Sequence, residues 1–351
     1  MSGCTCTSVA PTAVVCAFTA VETDWALTDW LGALSVRLDI GRMNYRVSPG
    51  LYSVGHPDAT APVFVTANYK LSFDHLRRAL RGLGAWLLVL DTDGVNVWCA
   101  AGKGTFSTEE LCRRIESTGL GSVVSHRRLI LPQLGASGVA AHTVAKATGF
   151  TVVFGPVRAE DIPAWLRAGR RKTPAMRTVQ FGLVDRLILV PVEIANTRLP
   201  ALALAAVAAG LATLHVRELN AALAASFAGY AVQMLGAIIV AGISVPALLP
   251  WLPTRSFATK GAVAGMAWIA AMALLAPPLS IHGFWAAFQG GWTLAGAALL
   301  AGASAAFVGL NFTGATVFTS QSGTMLETKR GLPLIAVAAV SGLILEIIGT
   351  L

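Results

Sequence analysis

The residues best equipped for chemistry are Asn96-Val97-Trp98-Cys99-Ala100-Ala101-Gly102-Lys103, which set one thiol between an apolar strand (residues 85–90) and a helix opened by the capping sequence Ser107-Thr108-Glu109-Glu110. A cysteine at a strand-to-helix crossover sits where backbone N–H groups converge, which favours the thiolate, and a thiolate is a strong, soft metal ligand. Gly94 and Asn96 are turn formers, Gly102 and Gly104 remove side chains beside the thiol, and Lys103 adds positive charge. These features leave two readings open: a small buried hydrophobe in the core of a sheet, or a site approached closely by something large.

The other cysteines are Cys4, Cys6, Cys16 and Cys112. The count is odd and the spacing suggests no disulfide framework, so the chain reads as cytosolic and reduced. Cys4-x-Cys6 lies on a tail and reads as incidental or as a soft-metal capture pair. No C-x-x-C run for an iron–sulfur cluster occurs, so electrons must come from another protein. The start of the chain lacks a basic stretch before its mildly apolar segment and does not read as a signal peptide.

Two unlike halves must position these groups. Of 44 charged residues, 36 precede residue 199, although the chain as a whole is 55% apolar and 13% charged. Residues 1–40 read as a tail with one helix near residues 24–31, residues 41–180 as a soluble domain, 181–198 as a junction holding an edge strand (187–192), and 199–351 as a membrane domain. In the soluble domain apolar strands (63–66, 85–90, 123–124, 129–131, 150–154) alternate with helices (72–83, 108–117, 139–148, 162–168). This pattern predicts a doubly wound, Rossmann-like α/β sheet. Ligands of such sheets lie beyond the carboxyl ends of the strands, which points to residues 66–70, 91–103, 125–135 and 155–159.

The second half holds charge-free runs long enough for five spans, near residues 199–216, 223–246, 260–276, 287–310 and 331–351, broken at Pro277-Pro278 and at the charges. Arg255, Lys260, Lys329 and Arg330 then fall on the same side as the soluble domain, as the positive-inside rule requires of a cytoplasmic domain. The polar run from Asn311 to Gly323 reads as an inner-face loop or a pathway lining. The net charge is +8, but no nucleic-acid motif accompanies it. The cluster Arg167, Arg170, Arg171, Lys172 and Arg177 reads as facing anionic lipid, or as docking an acidic ferredoxin.

The octapeptide at residues 96–103 resembles the cap helix of the mercury-methylating corrinoid proteins, which are membrane-anchored and work with a small ferredoxin. The likeness extends over about residues 42–350, through residues 50–52, 61–74, 90–106, 125–135 and 155–159, and the order of soluble domain and five membrane helices is the family's as well. It implies a corrinoid bound base-off, with Cys99 as lower axial ligand of cobalt and Asn96, Val97, Trp98, Ala100 and Ala101 forming the cap helix beneath the ring; Gly102 and Lys103 complete the cofactor-binding stretch, Lys103 either neutralising a corrinoid side-chain or phosphate group or simply capping solvent. It implies transfer of methyl from methyl-Co(III) to Hg(II), a [4Fe-4S] ferredoxin as reductant and possible mercury shuttle, and a methyltetrahydrofolate-linked donor. A corrinoid carrier of one-carbon metabolism with another acceptor, and a transporter with a regulatory α/β domain, are the competing readings. Asp-x-His-x-x-Gly, the usual source of a lower histidine ligand, is absent, and His56, His75, His126, His142, His215 and His282 lie in other contexts. Thr66, Asn68, His126, Gln133, Gly155 and Arg158, at expected strand ends, are the further candidates for corrinoid contacts.

Overall fold

The computed structural model describes residues 18–275 and 291–351, so Cys4, Cys6, Cys16, His282, the Pro277-Pro278 break and the start of the fourth expected span lie outside the described residues. The chain divides into two compact units, one running to Val36 and over Ile40–Gln180, the other comprising Arg37–Asp39 and Phe181–Leu351.

The first unit contains, in order, β1 (Thr19–Val21), α1 (Leu27–Arg37), β2 (Gly50–Val54), β3 (Val63–Ala67), α2 (Lys70–Ala79), β4 (Ala85–Leu90), α3 (Val97–Lys103), α4 (Thr108–Ser117), α5 (Leu120–Val123), β5 (Arg128–Leu131), α6 (Ala141–Thr148), β6 (Thr151–Phe154) and α7 (Ile162–Arg167). The strands form one sheet in the order β1-β2-β4-β3-β5-β6. The four strands β4, β3, β5 and β6 are parallel, whereas β2 runs antiparallel to β4 and carries β1 parallel to itself. The sheet is therefore mixed around a parallel centre, and residues 19–21 of the expected tail belong to it. Val123, expected in a strand, ends the short helix α5, with Val124 extended behind it.

Every residue of β3 and β4 is buried, as strands covered on both faces must be. Phe106, Leu111, Ile115 and Val144 pack on one face against Val63, Val65, Leu88 and Leu129. Phe73, Leu76, Leu80 and Trp165 pack on the other against Phe64, Leu87 and Ile130. The β3–β4 connection through α2 and the β4–β5 connection through α3–α5 thus leave on opposite faces. That divergence opens a crevice at the carboxyl ends of β3 and β5.

Helix α1 is held by charge. Lys70 Nζ lies 2.5 Å from Asp29 Oδ1 and 2.6 Å from Asp74 Oδ2, while Arg77 bonds Asp74 Oδ1 at 2.8 Å and Asp29 Oδ2 at 2.7 Å. Burial alone would raise the Asp29 pKa. The hydrogen bonds from Lys70, the Ala26 N–H and Arg77 outweigh it and hold that carboxyl at about 2.

In the second unit α8 (Leu183–Leu187) and α9 (Val190–Asn196) occupy the junction, where an edge strand was expected. Asp185 accepts from the Gly182 N–H and caps α8, and Pro191 stands in the first turn of α9, a position that tolerates a missing N–H and that a strand interior would not. Helices α10 (Arg198–His215), α11 (Ala221–Ala247), α12 (Phe257–Leu275), α13 (Gly291–Phe312) and α14 (Gln321–Thr350) follow, and five helices of the unit are long and apolar enough to cross a membrane. They pack through small residues: a Cβ added at Gly261 would lie 2.1 Å from the Ala305 carbonyl oxygen, and one at Gly265 2.4 Å from that of Ala301. The polar run after Asn311 is a 3-10 turn and loop between α13 and α14.

Because the Asp29 pKa is depressed on folding, its contribution to stability is complete above the ordinary value of 3.8 and is lost as pH falls through about 2. Hydrogen exchange at the α1 amides is expected to accelerate across that interval in the wild type. In Asp29→Asn it is expected to be fast already at neutral pH, with no acid step.

Candidate functional site

The chain leaves β4 at Leu90 and reaches α3 through a six-residue loop in which Asp93 (φ 56°) and Gly94 (φ 72°) are left-handed. A side chain at residue 94 would be strained by that φ, and its Cβ would stand 3.3 Å from the Met43 carbonyl oxygen. The Asn68 side chain, just beyond β3, holds the loop. Its Oδ1 accepts from the Thr92 N–H (3.1 Å) and the Gly94 N–H (2.9 Å), and its Nδ2 donates to Asp91 Oδ1 (3.1 Å). The Thr92 hydroxyl lies within reach of both Asn68 Oδ1 (2.8 Å) and the Val95 carbonyl (2.7 Å). On the far side Glu110, at the start of α4, accepts from the Asp91 N–H at 2.8 Å.

This clamp sets the start of α3. Asn96 is its N-cap: Oδ1 accepts from the Cys99 N–H at 3.0 Å, and Nδ2 lies 3.6 Å from Cys99 Sγ, placed to donate to the sulfur. The cap thus satisfies an orphan backbone donor and sets an amide N–H beside the sulfur with one side chain. Ala100 and Ala101 are buried and seat α3 on the sheet. Trp98 is 45% exposed, and Cys99 is exposed. Gly104, at φ 81°, ends the helix by donating to the Ala100 carbonyl. A Cβ at Gly102 would meet nothing within 4 Å, so that glycine keeps an outer surface low and does not serve packing. Lys103 is exposed and makes no hydrogen bond or ion pair among the described residues.

Beside α3 is a cavity of about 380 Å³ at the carboxyl ends of β3, β5 and β6, in the crevice between the diverging connections. Of the sequence-derived candidates it gathers Thr66, Asn96, Val97, Trp98 and Gly155, with Cys99 on the adjoining turn of α3. Ser72 and His75 of α2, the loop at Leu131, Pro132 and Leu134, and Pro156 and Val157 complete its wall. Ser72 and His75 escaped the sequence reading because they stand inside a helix, although the first turns of the helix after β3 necessarily face the same edge.

Four candidates are placed differently. Asn68 is committed to the loop clamp and positions α3. His126 precedes β5 and so lies at the amino end of the parallel strands, away from the cavity; its Nε2 bonds the Ala61 carbonyl oxygen at 2.9 Å, and its Nδ1 accepts from the Arg128 N–H at 3.2 Å. Gln133 Oε1 accepts from Lys172 Nζ, which also donates to the Phe154 carbonyl at 2.8 Å. Lys172 is therefore turned inward, and burial, reinforced by Arg177, lowers its pKa. Arg158 stands beside the wall residue Val157 and is not part of the wall.

The second described cysteine, Cys112, is half-buried where Cys99 is exposed. Burial, then the charges of Glu116 and Glu109, push the Cys112 thiol up, away from thiolate. Among the described residues no group of three or more His, Cys, Asp or Glu side chains is arranged to hold a metal ion, so a metal at Cys99 would need most of its ligands from elsewhere.

Residues 34–166 match the family model of the CO dehydrogenase/acetyl-CoA synthase delta subunit (CdhD). The relatives include the acetyl-CoA decarbonylase/synthase complex subunit gamma of Methanopyrus kandleri, 33% identical over 144 residues that make up 40% of this chain and 31% of that protein. The same subunit of Methanocaldococcus jannaschii is 37% identical over 123 residues, 34% of this chain and 25% of that protein. The corrinoid/iron-sulfur protein large subunit of Moorella thermoacetica is 31% identical over 125 residues, 35% of this chain and 28% of that protein. The chain thus spans under a third of the length of these relatives, and the family match ends before α8.

Replacing Asn68 by Ala orphans two buried N–H groups and is expected to cost roughly 2–4 kcal/mol. Thermal unfolding of the variant should show that loss. Asn96→Ala removes a cap worth about 1 kcal/mol and the amide beside the sulfur. Alkylation of Cys99, followed by peptide mass spectrometry, should slow in Asn96→Ala at neutral pH.

Proposed function

We propose that residues 41–180 bind a corrinoid base-off with the Cys99 thiolate as lower ligand of cobalt, and that the chain is a membrane-anchored corrinoid methyltransferase. The observation that carries this reading is the exposed Cys99 with the Asn96 amide on its sulfur, at a cavity on the carboxyl edge of the sheet. The similarity of the surrounding stretch to a corrinoid/iron-sulfur protein and to acetyl-CoA decarbonylase/synthase subunits supports it.

The residues fit such a cofactor on the chemistry of the donor set. A soft thiolate suits cobalt, the open space over Gly102 admits a flat, bulky group against α3, and the largely apolar cavity wall, with Thr66 and Ser72 as hydroxyl donors, suits a macrocycle edged with amides. When bound, the corrinoid supplies a transferable methyl group on cobalt. Asn96 holds Cys99 as a donor, Asn68 and Glu110 fix the height of α3, and Trp98 and Val97 wall the cavity beside it.

The acceptor is proposed to be Hg(II), on the octapeptide at residues 96–103. Cys99 would hold the cobalt of such a cofactor as a soft donor, and the cofactor would supply a methyl group to an electron-poor acceptor such as Hg(II). A ferredoxin-type [4Fe-4S] protein would restore the reduced cofactor, and a methyltetrahydrofolate-linked donor would reload it. A second reading, a methyl carrier of one-carbon metabolism with a different acceptor, is favoured by the names of the relatives. The five apolar helices and the positive charge of residues 255, 260, 329 and 330 support a multi-pass protein of the cytoplasmic membrane with residues 41–180 in the cytoplasm.

Single-turnover transfer from methylcobalamin-loaded protein to Hg(II) tests the proposal. Methylmercury is expected from the wild type and not from Cys99→Ala. Methylcobalamin retention without transfer would replace Hg(II) by the one-carbon acceptor, and failure to bind corrinoid would remove the reading altogether.

A further inference from the structure

The second unit holds a polar cluster that corrinoid chemistry does not use. On α11, Ser226, Tyr230 and Gln233 occupy one face, and all three side chains are fully buried. Glu346 of α14, equally buried, accepts at Oε1 from Gln233 Nε2. Four oxygens of this group have no hydrogen-bond partner among the described residues: Ser226 Oγ, Tyr230 Oη, Gln233 Oε1 and Glu346 Oε2. An unserved carboxylate oxygen in apolar surroundings costs several kcal/mol, and intramembrane carboxyls persist where they have a task.

The hydrogen-bond count shows what is missing. With Glu346 ionised, Oε2 and Gln233 Oε1 are both acceptors without a donor. Turning the Gln233 amide over exchanges its two atoms and leaves one amide oxygen still unserved. A proton on Oε2 supplies the missing donor and turns the pair into a doubly hydrogen-bonded acid and amide. Among the described residues no cation pairs with the carboxyl. The α13 helix packs on it at Gly296, where an added Cβ would lie 2.8 Å from Glu346 Cγ, and residues 291–312 contain no ionisable side chain. On α11 Tyr230 is the one titratable group. Glu327, Lys329 and Arg330 of α14 lie 16 or more residues away in sequence, His215 ends α10, and Lys260 of α12 donates to the carbonyls of Leu249 and Leu252.

We propose that Glu346, paired with Gln233 between α11 and α14, is a proton-binding site of the membrane unit. Ser226 and Tyr230 put two further hydroxyls on the same buried face of α11, and neither hydrogen-bonds the pair. On the other side of Gln233 the face continues through Ala237 and Ala241, and its next polar side chain, Ser244, is eleven residues away, about 16 Å. The inference rests on α10–α14 spanning a membrane and is independent of the corrinoid.

Infrared spectroscopy of the full chain in liposomes tests it. At neutral pH the wild type should show the C=O stretch of a protonated carboxyl, shifted in D₂O and absent from Glu346→Gln, which keeps the neutral hydrogen-bonding shape. Should that variant not fold, ¹³C-glutamate labelling of the wild type replaces it: the band must move, and an unmoved band overturns the assignment. Absence of the band in the wild type, or its loss on adding Na⁺ at fixed pH, would also overturn the proposal, the latter in favour of a cation site.

Discussion

The geometry around the thiol depends on one amide side chain. Asn68 leaves β3 and spends its oxygen on the backbone of residues 92 and 94 and its nitrogen on Asp91. Without it, a loop containing two left-handed residues would have buried donors facing an acceptor-free crevice. With it, the end of one central strand dictates where the next strand delivers its helix. The height of Cys99 above the sheet is thus set by the hydrogen bonds of Asn68, just beyond β3, together with the buried Ala100 and Ala101 that seat α3. Glu110 adds the matching constraint from α4.

The sequence disclosed those parts of the fold in which one physical signal dominates. The continuous apolar run at residues 85–90 became β4, and Ser107 followed by Glu110 opened α4, with the Ser107 hydroxyl accepting from the Glu110 N–H. Where two signals compete, the reading went astray. Residues 187–192 are apolar enough for a strand, but Pro191 and the Gly182–Asp185 cap decide for helices. His126 was set at a ligand-facing loop because it flanks a strand. The polarity of β5 puts it at the wrong end. Asn68 was recognised as polar and near a strand end, but nothing in its own neighbourhood shows that its partners are 23 to 26 residues away.

The two units solve packing by different means. In the first, large side chains such as Phe106 and Trp165 fill both faces of a sheet, and area removed from water is the driving force. In the second, helices surrounded by apolar material gain little from burying more of it, and glycines bring backbones within contact distance instead, as at Gly261 and Gly296. Polar atoms carry different costs in the two settings. Asn68 is expensive to remove because water is its only alternative partner, whereas the oxygens around Glu346 have no alternative partner at all.

The brevity of α3 has a consequence for the octapeptide as a chemical object. A seven-residue helix cannot sustain itself in water. It exists because Ala100 and Ala101 are seated on the sheet and because the incoming loop is fixed. Excised from the chain, residues 96–103 would keep the thiol and lose the orientation of the amide that faces it. Metal affinity measured on such a peptide would describe an ordinary flexible cysteine. The motif is a signature legible in sequence whose reactivity belongs to the folded domain.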